Sequence, residues 1–238
     1  MRSRPARKRM SLRLAIGVAS LAIGVAGCGT APAGSSALSP APASTSAAAA
    51  ASPTVASPSP QAAVLLWPVP PDPMERTVKA GLKPQPKEFL SNHVHAHLDV
   101  FVDGKPVLVP SGIGIKIDNP AVKHFDEPDG SVSYGGIDLC NEACISPLHT
   151  HDVSGVIHTE SADPKPNTLG EFFIEWGVEL SETCVGEHCA PTPIAVYIGG
   201  ELYEGDPRAV ELTDRKVIVV VVGTPPAVIP STADFSKA

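Results

Sequence analysis

Six of the eight histidines of this chain lie in two short stretches. The first reads HVHAH, from His93 to His97, and the second reads PLHTHDVSGVIH, from Pro147 to His158. Imidazole nitrogens bind zinc, copper and catalytic iron, and such sites need three or four donors close together. The question is therefore whether the two stretches meet in the fold to form a metal site.

The spacing within each stretch is typical of an extended strand. Side chains alternate between the two faces of a strand, so the three histidines of HVHAH point the same way, about 7 Å apart. The two histidines of LHTH share a face for the same reason. His158 follows His151 by an odd number of residues. It therefore points to the opposite face unless a bend at Ser154-Gly155 resets the alternation.

We predict a copper or zinc ion bound by histidines of both stretches. Asp152 and Glu160 are candidates to orient an imidazole, and Glu160 is also a candidate ligand. His124 and His188 stand alone and are interpreted as ordinary surface residues. In the alternative interpretation the histidines only line strands, and the two stretches lie far apart. The predicted core ligands are His95, His97, His149 and His151, with His93 and His158 as additions.

Four cysteines form two close pairs, Cys140 with Cys144 and Cys184 with Cys189. In an exported protein this spacing favours two local disulfides. The alternative makes Cys144 a thiolate ligand, because His149 follows it by five residues, which is similar to the dinuclear copper site of cupredoxins. That pattern needs a methionine just after the histidine, and the methionines here are at positions 1, 10 and 74. Disulfides are therefore the prediction.

The N-terminus indicates export. Residues 1–27 are basic at first and then apolar over about 13 residues, which fits a secretory signal and is too short to span a membrane. The segment ends in VAGC and resembles a bacterial lipobox, in which the cysteine, here Cys28, carries a diacylglycerol. We predict a lipoprotein held on the outer face of the cytoplasmic membrane or in the cell envelope. The alternatives are an ordinary signal peptide with an incidental cysteine, or an uncleaved anchor.

Composition divides the remainder of the chain. Residues 28–63 are rich in Ala, Ser and Pro, and this composition predicts a disordered linker. We predict one globular domain over residues 64–224 and a loose C-terminal tail over residues 225–238. After the leader the chain carries 12 basic and 25 acidic residues, a net charge of −13. This charge argues against nucleic acid as a partner and leaves the lipid as the only membrane contact. The sequence names no protein partner.

The predicted fold is α+β and mostly β, with a mixed, β-grasp-like sheet of hairpins packed on one main helix. Turn signals at Asp103-Gly104 and Gly199-Gly200 each predict a hairpin. Between them, Thr168 and Glu171 form a capping box that begins a helix with an apolar face. RKVIVVVVG predicts a buried last strand. The alternative is a β-sandwich with an accessory helix.

Less regular segments give weaker signals. The sequence SGIGIKI, 111–117, predicts a further strand, and 118–138 predict mostly turns. DPMERTVKAG, 72–81, predicts a short helix with Pro73 in its first turn.

Four blocks of the sequence resemble a family of bacterial and archaeal extracytoplasmic proteins of unassigned activity. They read HAHLDVFVDG, PLHTHDVSGVIHTES, TLGEFFIEWG and EGDPR, in order over residues 95–208. The resemblance supplies no reaction, but it implies that both histidine stretches belong to one architecture.

The sequence carries no GxSxG, phosphate-loop or HExxH motif, so hydrolases, kinases and zincins are not indicated. We therefore predict metal capture, buffering or delivery. The alternatives are a metal-dependent oxidoreductase with a neighbouring pocket, or an envelope interaction module that binds no metal.

Overall fold

The computed structural model describes residues 65–236 and residue 238. The predicted leader, Cys28 and the predicted linker lie outside these residues. The elements of the described part, in chain order, are β1 (Leu65–Leu66), α1 (Pro73–Lys79), β2 (Asn92–Val102), β3 (Lys105–Leu108), β4 (Lys123–Asp126), β5 (Val132–Gly135), β6 (Leu148–His149), β7 (Val156–Ser161), α2 (Leu169–Trp176), β8 (Cys184–Val185), β9 (His188–Cys189), β10 (Ile194–Ile198), β11 (Glu201–Tyr203), a 3₁₀ turn (Pro207–Ala209) and β12 (Lys216–Val222).

The main sheet has the strand order β1-β3-β2-β12-β10-β11. Its two central strands, β2 and β12, are parallel. On the outer sides, β2 pairs antiparallel with its hairpin partner β3, and β12 pairs antiparallel with β10, which forms a hairpin with β11. The last strand of the chain is thus inserted between two hairpins that are separated in sequence by α2. This confirms the predicted α+β, mostly β class and the β-grasp-like mixed sheet. The β-sandwich alternative is wrong.

Local turn chemistry sets both hairpins. Asp103 and Gly104 have φ values of 47° and 74°, and Gly199 and Gly200 have values of 58° and 89°. Two successive left-handed residues give the turn whose twist matches a two-residue hairpin, and Gly and Asp adopt this conformation at low cost. Both predicted hairpins are confirmed.

Helix α2 begins at the predicted capping box. Thr168 accepts a hydrogen bond from the backbone of Glu171, and the Glu171 carboxylate accepts one from the backbone N–H of Thr168 at 2.7 Å. The helix ends at Gly177, whose φ of 75° is left-handed. Its buried side chains pack on one face of the main sheet, and the indole of Trp176 donates to the backbone oxygen of Trp67 at 3.1 Å.

This packing decides where the histidines lie. In β2 the residues that face the helix and the core are Ala96, Leu98, Val100 and Val102. Because neighbouring residues of a strand point to opposite faces, the histidines of HVHAH lie on the face that is turned away from the helix.

For the less regular segments, one prediction is wrong and another missed a hairpin. Residues 111–117 form turns and one isolated bridge, between Ile115 and Ile145, rather than a strand. Gly112 and Gly114 adopt φ values of 83° and 70° that an extended strand cannot accommodate. Conversely, 118–138 contain the hairpin of β4 and β5. Strand β4 is exposed along its whole length, so it carries no alternation of apolar and polar residues for a sequence pattern to reveal.

The predicted disulfides, Cys140–Cys144 and Cys184–Cys189, are both formed. Cys144 is consequently not a free thiolate, and the interpretation of it as a metal ligand is wrong. Within the described residues neither helix is long and apolar enough to cross a bilayer.

Candidate metal centre

Strand β7 joins the two histidine stretches. It pairs antiparallel with β2, which places His93 opposite Glu160 and His95 opposite His158. It also pairs antiparallel with β6, which places His149 opposite His158. His158 therefore lies between the histidines of β2 and His149. The centre of its ring is 4.6 Å from that of His95 and 5.6 Å from that of His149.

The bend at Ser154-Gly155 resets the alternation as the sequence required. Gly155 has a φ of 83°, and β7 begins at the next residue. The backbone oxygen of Gly155 accepts a hydrogen bond from the backbone N–H of Leu98 at 2.9 Å, which sets the register of β7 on β2. As a result His158 lies on the same face as His95 and His149.

Backbone carbonyls fix the rings of His149 and His151. The Nδ1–H of His149 donates to the oxygen of Ser146 at 2.9 Å, and that of His151 donates to the oxygen of Tyr134. Tyr134 belongs to β5, and its own N–H donates to the oxygen of His151 at 2.9 Å. The hairpin that the sequence did not reveal therefore holds one of the predicted ligands.

These contacts leave two nitrogen lone pairs facing each other. A carbonyl oxygen can only accept, so the single ring hydrogen of each neutral imidazole lies on Nδ1, and both Nε2 atoms carry lone pairs. The two Nε2 atoms, of His149 and His151, are 3.2 Å apart. At that distance the lone pairs repel unless a proton or a metal ion lies next to both. Metal-bound histidines commonly donate their other ring N–H to a carbonyl or carboxylate, as these two do.

The distance itself is that of two ligands on one ion. Two nitrogens bound to a tetrahedral zinc at about 2.0 Å lie about 3.3 Å apart. Among the described residues, two groups have ligand atoms that all lie within 4.8 Å of one another. They are His93, His95, His158 and Glu160, and His149, His151, His158 and Glu160.

Burial keeps the central imidazoles neutral. Burial, with smaller contributions from His158 and His93, lowers the pKa of His95 to about 4. Burial also lowers the pKa of His149 well below its ordinary value and lowers that of His158, although Glu160 opposes the shift of His158. A neutral imidazole offers a lone pair, which is the form that a metal ion binds.

Two carboxylates complete the centre. Glu160 Oε1 lies 3.4 Å from His93 Nε2 and 3.6 Å from His158 Nδ1. Burial alone would raise the pKa of Glu160, but the neighbouring imidazoles outweigh it and the net direction is downward, so Glu160 is a carboxylate. Glu88 lies 3.9 Å from His151 Nε2. Glu88 lies five residues before His93, but no pattern in the sequence places it beside His151, which follows it by 63 residues.

The structure does not bring every predicted residue into these groups. The Nε2–H of His97 donates to the oxygen of Ser154 at 2.9 Å, and its Nδ1 lies 3.6 Å from Asp99. Asp152 accepts a hydrogen bond from the backbone N–H of Ser154, so it shapes the turn that covers His97. His124, which is exposed, and His188 lie outside both groups.

A buried acid of α2 supports the segment that leads to His149. Glu175 is fully buried, and its Oε1 accepts a hydrogen bond from the hydroxyl of Ser146 at 2.6 Å. Its Oε2 lies 3.2 Å from the hydroxyl of Thr77, which can instead donate to the oxygen of Pro73 at 3.0 Å. A protonated Oε2 that donates to Thr77 therefore satisfies every group. Burial accordingly raises the pKa of Glu175 to about 7.

Glu175 is expected to make stability depend on pH. Because its pKa in the folded chain is raised above the ordinary 4.5, its contribution is present at low pH and is lost as pH rises through about 7. Relative to the Glu175→Gln variant, the wild type should lose about 2.5 kcal/mol of unfolding free energy between pH 5 and 8. Denaturant titrations of both chains at each pH measure this difference. An exposed control, Glu142→Gln, should follow the wild type, and parallel profiles for wild type and Glu175→Gln would contradict the assignment.

The chain was compared with protein families, curated proteins and solved structures. No family model, no curated protein and no solved structure matches the chain.

Proposed function

We propose that this chain is an exported lipoprotein of the cell envelope whose domain binds copper or zinc for capture, buffering or delivery. The main support for metal binding is the pair of Nε2 atoms of His149 and His151, which face each other 3.2 Å apart. The ring N–H of each histidine is on Nδ1 and donates to a backbone carbonyl. A metal ion beside both lone pairs removes their repulsion without placing a charged imidazole in a buried position.

The available donors favour copper or zinc. The groups offer imidazole nitrogens and carboxylate oxygens, while the four described cysteines are taken up in disulfides. Nitrogen-rich sites of this kind suit zinc and copper, whereas magnesium and calcium prefer oxygen alone. The side chain of His93 is 39% exposed, so an ion can enter beside it, and the remaining histidines are more enclosed.

Two features support export. The leader and Cys28 match the lipoprotein pattern, and the domain forms two disulfides, which persist in oxidising compartments outside the cytosol. In a membrane fractionation the wild type is expected with the membranes, and a Cys28→Ala variant is expected in the soluble fraction.

Elemental analysis of the full chain tests the metal. The protein is produced without a histidine tag in a compartment that forms disulfides, beside a His149→Ala/His151→Ala variant. We expect at least one copper or zinc ion per chain in the wild type and fewer ions per chain in the variant. The matched control is His124→Ala/His188→Ala, which removes two histidines from outside the site and should retain the metal. A folded wild type that contains no metal and takes up none on titration would refute the proposal.

A further inference from the structure

The candidate centre is divided into two halves. His93 and His95 lie on β2, and their ring centres are 4.6 Å apart. His149 and His151 lie on and just after β6, with ring centres 4.7 Å apart. The ring of His158 lies between these pairs, 4.6 Å from His95 and 4.4 Å from His151, and is turned edge-on to both.

A single ion cannot be coordinated by all of these side chains. Two atoms bound to the same ion lie no more than about 4.2 Å apart when each bond is about 2.1 Å. Each pair has ligand atoms within 4.8 Å of those of His158 and Glu160, but no group among the described residues contains both pairs. The two groups therefore mark two candidate coordination centres that share two residues.

Each half also contains ring nitrogens that a bound cation would satisfy. In the half on β2, the Nε2 of His95 is buried without a hydrogen-bond partner. In the other half, the Nε2 atoms of His149 and His151 face each other. A buried polar atom without a partner destabilises the fold, and an ion in one half would leave the unpaired atoms of the other half in place.

The shared residues can serve two ions. Glu160 has two carboxylate oxygens, and His158 has two ring nitrogens that can both bind metal once its ring proton is released to solvent; both side chains are buried. The Nδ1 of His158 and the Oε2 of Glu160 are buried without hydrogen-bond partners. Three carboxyl groups can balance the positive charge of two ions. They are Glu160 itself, Glu88 near His151, and Asp214, which accepts a hydrogen bond from the backbone N–H of His95.

We infer that the centre binds two metal ions, one at His93 and His95 and one at His149 and His151, bridged by Glu160, His158 or both. This inference rests on the proposed metal binding and adds the number of ions and the residues of each. In this arrangement each ion has two histidines of its own and at least one shared ligand.

Zinc stoichiometry tests the inference. The untagged full chain is saturated with Zn²⁺, passed through a desalting column and analysed for zinc per chain. We expect two ions in the wild type, one in His93→Ala/His95→Ala and one in His149→Ala/His151→Ala. One ion in the wild type, with one double variant empty and the other full, would overturn the inference and leave the proposed function standing. No zinc in the folded wild type would overturn both.

A second readout does not depend on how the variants fold. The wild type is titrated with Cu²⁺ and followed by electron paramagnetic resonance. With two bridged ions, the signal of an isolated ion grows with the first equivalent and then falls or broadens with the second, because the neighbouring spins couple. A signal that saturates at one equivalent with no further change would contradict a two-ion centre.

Discussion

His158→Ala is expected to lower the affinity of the chain for copper or zinc by at least about 100-fold, since even residues that only orient a ligand contribute 10- to 100-fold. His158 is the histidine that belongs to both groups, and it pairs with His95 on one side and His149 on the other. Its removal therefore weakens both halves of the centre. Competition with a chromophoric chelator measures the change.

The fold should survive this substitution. His158 is 5% exposed, and its Nδ1 lies 3.6 Å from Glu160 Oε1, so in the metal-free chain the imidazole contributes packing and one long contact with Glu160. His158→Gln fills more of the same volume and should show the same loss of affinity. The control is His124→Ala, at an exposed site outside the centre. Unchanged affinity in both His158 variants, with melting curves like that of the wild type, would exclude His158 as a ligand.

Gly155→Ala is expected to be far more destabilising than Gly130→Ala, although both positions have nearly the same backbone conformation. Their φ values are 83° and 85°. A Cβ at Gly130 meets nothing within 4 Å, whereas at Gly155 it would lie 2.7 Å from the oxygen of Leu98 and 3.2 Å from His97 Nε2. The comparison therefore separates the cost of a left-handed alanine from the cost of displacing the strand.

The left-handed conformation should cost about 1 kcal/mol at Gly130. At Gly155 the pairing of β2 with β7 must also shift, which adds about 1–3 kcal/mol by overpacking. Metal retention should fall with stability in the Gly155 variant alone, because that pairing sets His95 opposite His158. Denaturant unfolding and metal content measure the two effects. Equal losses of stability at the two glycines would show that the close approach of Leu98 and Gly155 does not matter.

The parts of the fold that the sequence predicted are those with local causes. The Asp103-Gly104 turn, the capping box at Thr168 and the two disulfides each join residues within a few positions of one another. The strand periodicity of HVHAH and the bend at Gly155 likewise act locally. These signals predicted which face each strand presents, and so which histidines could meet.

The remainder depends on contacts between distant segments. His97 has the same spacing as His95, yet the turn that contains Ser154 folds over it and occupies its Nε2. Glu88 reaches His151 from a segment some sixty residues earlier in the chain, and no sequence pattern signals that approach. Glu175 is buried because α1 and the segment around Ser146 pack against its side of the helix.

The most direct test of histidine coordination is the X-ray absorption spectrum of the zinc-loaded full chain at the zinc edge. We predict nitrogen and oxygen neighbours at about 2.0–2.1 Å, the outer-shell scattering pattern of at least two imidazoles, and no sulfur at about 2.3 Å. A sulfur shell, or oxygen neighbours without imidazole scattering, would show that the ion is bound elsewhere and that the facing nitrogens of His149 and His151 do not hold it.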